Sequence, residues 1–285
     1  MQKPISKIFL DSSDPFETKK ALKILGFLDG QTTNPSLVAK NPHVQEYIAS
    51  GKRFTGDDLI NEYKEIVKEI SSLIPNGSVS IEVYCDNSTN YLDILRQAEY
   101  MQTFIPNAHI KIPANRQGLK AAEIFISHGG RVNMTLCFSQ AQARAVELIT
   151  KNATKGSVFY SSFIGRLFDN KINGLQLLDI CLKNYRAHNS NVEVLAASFR
   201  SLDQVMACLR IETDIVTLPF KFIKEWEKRN LVLPGEDFEY PIEADIQSIF
   251  QEELTTNNWE SLSIENELTK NGIEIFANDW NKLIS

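Results

Sequence analysis

Short apolar runs alternate with amphipathic stretches along nearly the whole chain. Strand-like runs occur at residues 7–10, 27–32, 79–84, 108–113, 131–136, 156–160, 192–195 and 214–218. Each is brief, rich in β-branched or aromatic residues and bounded by polar or turn-forming ones, as expected of strands in a buried sheet. Between them, residues 91–100, 119–127, 141–150, 175–185 and 202–209 repeat apolar positions at helical spacing. Residues 56–73 add one more helical stretch before the third strand. Eight strands, most of them followed by a helix, predict an α/β chain folded as a (β/α)8 TIM barrel. A doubly wound open sheet is the alternative, but it expects a glycine-rich phosphate loop after the first strand, and none follows residues 7–10.

The alternation stops near Asn230. Residues 230–263 carry Pro234, Gly235 and Pro241 among many acids, including Glu236, Asp237, Glu239 and Glu243. Beyond them Ile273, Phe276, Trp280 and Leu283 fall on one face of a helix, which must therefore dock on something. The expected organisation is a catalytic barrel over residues 1–229 and a C-terminal helical extension over 230–285, packed on the barrel rather than folded independently. Docking on a partner subunit is the other use of that helix face, so a homo-oligomer stays open.

Composition narrows the function classes. The 285 residues are 43% hydrophobic and 23% charged, typical of a globular chain with a large core. A net charge of −6 without a basic stripe argues against nucleic acid as a partner. No apolar stretch approaches the ~20 residues that span a bilayer, and residues 1–5 lack the apolar core of a secretory signal. Cys85, Cys137, Cys181 and Cys208 are far apart and read as reduced, buried thiols of a cytoplasmic protein. The four histidines are scattered, so no metal site is expected.

One residue breaks the apolar pattern most sharply. Lys111 sits within His109-Ile110-Lys111-Ile112-Pro113, a segment that reads as a buried strand. Strand side chains alternate, so Ile110 and Ile112 share one face and Lys111 takes the other. In a closed barrel the isoleucines meet the outer helices and the amine enters the interior, where desolvation favours the neutral, nucleophilic form. Other polar residues recur at comparable places. Asp11 ends the first strand, Asn34 follows the second, and Glu82 lies between Ile81 and Val83. Asn133 and Thr135 alternate with Val132, Met134 and Leu136. A closed barrel has no edges, so a charged residue flanked by β-branched neighbours is interior. Any one of these could be a cap, but their recurrence on successive strands points to one polar site.

Five motifs carry a family resemblance. Thr32-Thr33-Asn34-Pro35-Ser36, Ile110-Lys111-Ile112-Pro113, Asn133-Met134-Thr135-Leu136, Ser161-Ser162-Phe163-Ile164-Gly165-Arg166 and Ala197-Ser198-Phe199-Arg200 resemble the transaldolase signatures, in that family's order. The likeness runs from about Ile8 to Ile223 and resumes in the final helix. It implies a (β/α)8 barrel whose fourth-strand lysine, Lys111, forms a Schiff base with a ketose phosphate, with sugar phosphates as substrates and no cofactor. Two features depart from the family pattern: residues 230–263, and Ser162 in place of the usual proline.

Carried over residue by residue, the resemblance makes Asp11 the proton shuttle at the substrate's C4 hydroxyl. Glu82 and Thr135 hold the water that moves protons during imine formation. Asn34, Asn133 and Ser161 bind the dihydroxyacetone hydroxyls, and Thr32 lies near Asp11. Arg200, Ser198 and Arg166 receive the phosphate, with Arg200 expected to be free of any structural ion pair. Fructose 6-phosphate aldolases of the same group carry glutamine where Glu82 stands and tyrosine where Phe163 stands, so both positions here are of the transferase kind. A barrel that binds sugar phosphates without catalysis is disfavoured by intact Asp11, Glu82 and Lys111.

Overall fold

Each strand pairs in parallel with its neighbours in the chain, and the eighth closes on the first. The computed structural model describes residues 3–285. Its strands are β1 (Lys7–Asp11), β2 (Gly30–Thr32), β3 (Ser78–Glu82), β4 (Ala108–Pro113), β5 (Val132–Cys137), β6 (Val158–Phe163), β7 (Glu193–Ala197) and β8 (Ile215–Leu218). The helices are α1 (Pro15–Leu25), α2 (Pro35–Ala39), α3 (Pro42–Ala49), α4 (Gly56–Leu73), α5 (Tyr91–Met101), α6 (Arg116–Ser127), α7 (Gln140–Ile149), α8 (Ile164–Asp169), α9 (Gly174–Ala187), α10 (Leu202–Arg210), α11 (Phe220–Lys228) and α12 (Glu267–Asn281). The molecule is a TIM barrel.

Local chemistry explains the element ends. Thr55 caps α4 by accepting from the Asp58 N–H, with Asp57 and Asp58 in the first turn. Asn34 and Asn41 cap α2 and α3, each followed by proline at the first helical position. These two helices are too short to show a period, so the hydrophobic pattern misses them. The second strand is shorter than residues 27–32, because Gly26 ends α1 in the left-handed region and Phe27–Asp29 form the irregular connection to the strand. β6 begins later than residue 156 and runs on to Phe163. Gly156 and Ser157 form a turn, and the polar Ser161-Ser162 pair hides the strand's upper half from a reading by hydrophobicity.

The core is one contiguous apolar cluster between the barrel and its helices. Ile110 and Ile112 are fully buried, and a β-carbon on Gly118 of α6 would come within 3.1 Å of Ile112, so that side chain faces the helix layer. All four cysteines are free and buried. No helix among the described residues is long and apolar enough to cross a membrane.

Beyond α11 the chain has almost no regular structure until α12, apart from a 3-10 turn at Trp259–Ser261. It lies as a strap over the outer helices. The Gln140 amide donates to Phe250 O (2.7 Å) and accepts from Glu252 N (3.0 Å), while Arg144 donates to Thr256 O and Arg116 to Glu260 O and Leu262 O. α12 then crosses the C-terminal end of the barrel. Ile273, Phe276, Trp280 and Leu283 are all buried. Thr269 Oγ1 donates to Leu136 O (2.8 Å), and Ser36 Oγ donates to Asp279 Oδ2 (2.5 Å).

Candidate active site

A cavity of about 320 Å³ opens at the C-terminal end of the strands, where barrels of this type carry their chemistry. Asp11, Thr32, Asn34, Lys111, Ser161, Phe163, Arg166, Ser198 and Arg200 line it, with Lys40, Thr217, Phe276 and Asp279 among the other walls. Nine of the residues singled out from the sequence thus share one surface. Glu82, Asn133 and Thr135 do not line the cavity; Glu82 and Asn133 stand opposite Lys111 in the strand register, and Thr135 is buried two residues beyond Asn133 on β5.

Lys111 is 3% exposed, which decides between an edge lysine and an interior one. In the strand register it stands opposite Glu82 on β3 and Asn133 on β5. Its Nζ lies 2.9 Å from Glu82 Oε2 and donates to Thr33 O at 3.3 Å. The rings of Phe163 and Phe276 lie 5.9 and 5.8 Å away, close enough for cation–π attraction to the ammonium form.

The two carboxyls near this amine are both pushed above the usual carboxylate range. For Asp11 the cause is burial, opposed chiefly by Lys111 and then by the hydrogen bond from Thr32 Oγ1 (2.8 Å) and the charge of Lys40. For Glu82 it is again burial, opposed by the charge and hydrogen bonding of Lys111. A carboxyl shifted in this direction is a better proton donor and acceptor for acid–base work than one left in water. Thr32 also meets Thr217 of β8, hydroxyl to hydroxyl at 2.6 Å. Thr135 Oγ1 is fully buried with no hydrogen-bond partner among the described residues.

Asn133 is completely buried. Its Nδ2 donates to Ser80 Oγ (3.0 Å) and its Oδ1 accepts from Ser161 Oγ (2.6 Å), so it reaches the cavity through Ser161. Asn34 spends its Oδ1 on the Leu37 N–H as the cap of α2, which leaves its Nδ2 to meet a ligand.

Two guanidiniums also line the cavity. Arg166, on α8, lies against Phe163 and Phe276, 5.3 and 5.5 Å from the ring centres. Burial lowers its pKa, and the like charge of Arg200 lowers it further. Arg166 also explains a glycine inside α12: a β-carbon on Gly272 would stand 2.5 Å from Leu136 Cδ2 and 2.7 Å from Arg166 Nη1. Arg200 differs from the expectation for it. It is an ion-pair partner, its Nε and Nη2 gripping Asp169 of α8 at 2.7–3.2 Å, while Nη1 donates to Ser198 O (2.7 Å). Both side chains are roughly half exposed. Asp169 lies 31 residues away in the chain, so no local pattern announces the pair. Ser198 itself has φ +68°, in the left-handed region, and so does Leu136 beside the irregular β5–β6 register. Such strain in residues other than glycine is held at sites where geometry matters.

Phe276, Lys40 and Thr217 line the site without a sequence signal of their own. Phe276 reads from the sequence only as part of an apolar helix face. Among the described residues, no group of three or more His, Cys, Asp or Glu side chains could hold a metal ion.

With that geometry in place, comparison with known proteins adds an independent line. A family model described as "Transaldolase/Fructose-6-phosphate aldolase" matches residues 8–285. Proteins named "Probable transaldolase" from Brucella melitensis biotype 1, Dehalococcoides mccartyi and Anaeromyxobacter dehalogenans are 36, 33 and 34% identical over 229 residues. The aligned stretch covers 80% of this chain and 92, 94 and 92% of theirs, respectively.

Proposed function

The chain belongs to the transaldolase/fructose-6-phosphate aldolase family, and from that premise we propose that it is a transaldolase. In this reading it moves a dihydroxyacetone unit from sedoheptulose 7-phosphate to glyceraldehyde 3-phosphate, leaving erythrose 4-phosphate and fructose 6-phosphate. The observation that carries the reading is a lysine 3% exposed inside the barrel, on a cavity wall, with a carboxylate 2.9 Å from its nitrogen.

An amine must shed a proton before it can attack a carbonyl, and Glu82 Oε2 is placed to take it. Lys111 then adds to C2 of the ketose, and the carbinolamine loses water to give a protonated imine. Glu82 and the unpartnered Thr135 hydroxyl hold the water that carries those protons. Asp11 removes the C4 hydroxyl proton and the C3–C4 bond breaks. Its electrons flow into the imine and the aldose phosphate leaves. The enamine on Lys111 attacks the incoming aldehyde, Asp11 returns a proton to the new alkoxide, and hydrolysis of the imine frees the product and the lysine. Arg166, Arg200 and Ser198 hold the phosphate, which a planar guanidinium suits.

Transfer instead of release is supported by Phe163. The enamine is lost to hydrolysis only if a proton reaches its nucleophilic carbon, and a phenyl ring cannot donate one. Fructose 6-phosphate consumption with erythrose 4-phosphate present should therefore far exceed dihydroxyacetone release without it. Comparable rates would make the protein an aldolase. Phe163→Tyr should raise release and lower transfer; an unchanged ratio would remove Phe163 from this role.

A further inference from the structure

The β2–β3 ladder breaks where it meets the lysine. In a parallel pair, a residue that donates its N–H to one residue of the next strand offers its C=O to the N–H two positions further along. Thr33 N–H donates to Ser80 O at 3.1 Å, so the ladder would continue with Glu82 N–H donating to Thr33 O. Both groups are diverted. Glu82 N–H donates to the hydroxyl of Tyr63 at 2.9 Å, and Thr33 O accepts from Lys111 Nζ at 3.3 Å.

Tyr63 comes from α4, the helix that precedes β3. Its proton has one direction open to it. Thr33 Oγ1 donates to Ser80 O (2.7 Å), so in its contact with Tyr63 that oxygen accepts. Tyr63 therefore donates to Thr33 and accepts from Glu82, with both capacities used. The side chain is completely buried and its ring packs on Trp280 of α12, centroids 6.0 Å apart. Burial also keeps the phenol protonated well above its usual range.

We propose that Tyr63 is a positioning residue for the lysine chemistry: its hydroxyl withdraws Glu82 N–H from the ladder and so leaves the Thr33 carbonyl to hold Lys111 Nζ. The Thr33 carbonyl just past β2, which accepts from the amine, and the Glu82 carboxylate of β3, which pairs with it at 2.9 Å, then fix the amine about its flexible stem. The same hydroxyl anchors the Glu82 backbone, and with it the carboxylate that takes the amine's proton. This inference rests on Lys111 being the nucleophile. It makes α4 part of the site's support, although no residue of that helix touches the cavity.

The test uses Tyr63→Phe, which keeps the ring and removes the hydroxyl. The freed Glu82 N–H then closes the ladder onto Thr33 O, and Lys111 loses an acceptor. The rate of borohydride trapping at saturating fructose 6-phosphate, and kcat with it, should fall by about tenfold or more. KM for fructose 6-phosphate, set largely by phosphate contacts that the substitution leaves in place, should stay within about twofold of the parent. Thr33→Val removes the acceptor of the Tyr63 proton and should show the same split, with the double variant little worse than either single one, because the two hydroxyls act as a unit. A Tyr63→Phe enzyme with parental kcat and trapping rate overturns the proposal, as does a parallel loss of kcat and affinity, or additive single effects. If Tyr63→Phe does not fold, Thr33→Val decides by the same split of kcat from KM. Failure of the parent enzyme to label at Lys111 overturns the transaldolase reading and this inference together; labelling at the parental rate in both variants overturns only this one.

Discussion

Arg200 brings a charge to the cavity mouth, yet its guanidinium is already gripped by Asp169. The pair is roughly half exposed, so it adds little to stability. Its effect is geometric: Asp169 takes Nε and Nη2, which fixes the plane in which Nη1 reaches Ser198. A phosphate bound there competes for a guanidinium already oriented. Removing one charged hydrogen bond costs on the order of 1.5–3 kcal/mol, so Arg200→Ala should lower kcat/KM for fructose 6-phosphate by about tenfold or more. Unphosphorylated fructose should be affected far less. Equal losses on both substrates would mean that Arg200 serves the fold. The sequence exposes Arg200 and Lys111 because each sits in a short motif at a strand end. It hides Asp169, Thr217 and Tyr63, whose partners lie on other elements far along the chain.

At the scale of elements, β4 and α4 match their predicted limits of 108–113 and 56–73 residue for residue. In β4, Ile110 and Ile112 flank the lysine in strict alternation. α4 has a threonine cap, two acids in its first turn and a clear apolar stripe at Leu59, Tyr63, Ile66, Val67 and Ile70. Where those signals weaken, as at Ser161-Ser162 in β6, the limits slip.

β4 also carries a titratable group at the end away from the cavity. His109 stacks on Phe159 (4.2 Å), accepts from or donates to Ser78 Oγ, and bonds Gly156 O through Nε2. Burial drops its pKa from 6.5 to about 3, only partly offset by the Gly156 hydrogen bond. Between those two values the unfolded chain binds a proton that the folded chain refuses. The resulting stability is complete above about pH 6.5 and drains away as the pH falls toward 3, by a few kcal/mol in all. Asp11 and Glu82, with raised pKa values, push in the opposite sense, so the comparison must be made between variants. His109→Phe keeps the stacking, and denaturant midpoints from pH 7 to 4 should decline less steeply than in the parent. Parallel declines would show that His109 is not the group responsible.

Over the whole molecule, the chain closes its barrel and then doubles back across the C-terminal end, so that α12 supplies Phe276 and Asp279 to the same cavity that the strands build. The apolar face of that helix is legible in the sequence, but its second use, as a wall against Lys111 and Arg166, depends on where it docks. The strap before it has no period to read, and its hold comes from side-chain amides such as Gln140. Gln140→Ala removes the bonds to Phe250 O and Glu252 N. It should speed limited proteolysis within residues 240–257 while kcat and KM for fructose 6-phosphate hold. A matching loss of activity would make the strap part of the catalytic unit.

Covalent attachment of the ketose to Lys111 leaves a mass that can be read on the protein itself. The intact protein is reduced with borohydride in the presence of fructose 6-phosphate, digested, and its peptides weighed. A dihydroxyacetone-derived mass should appear on the peptide containing Lys111 and on no other, and none in a folded Lys111→Met variant. An active enzyme that labels at a different lysine, or takes up no label at all, would contradict that attachment.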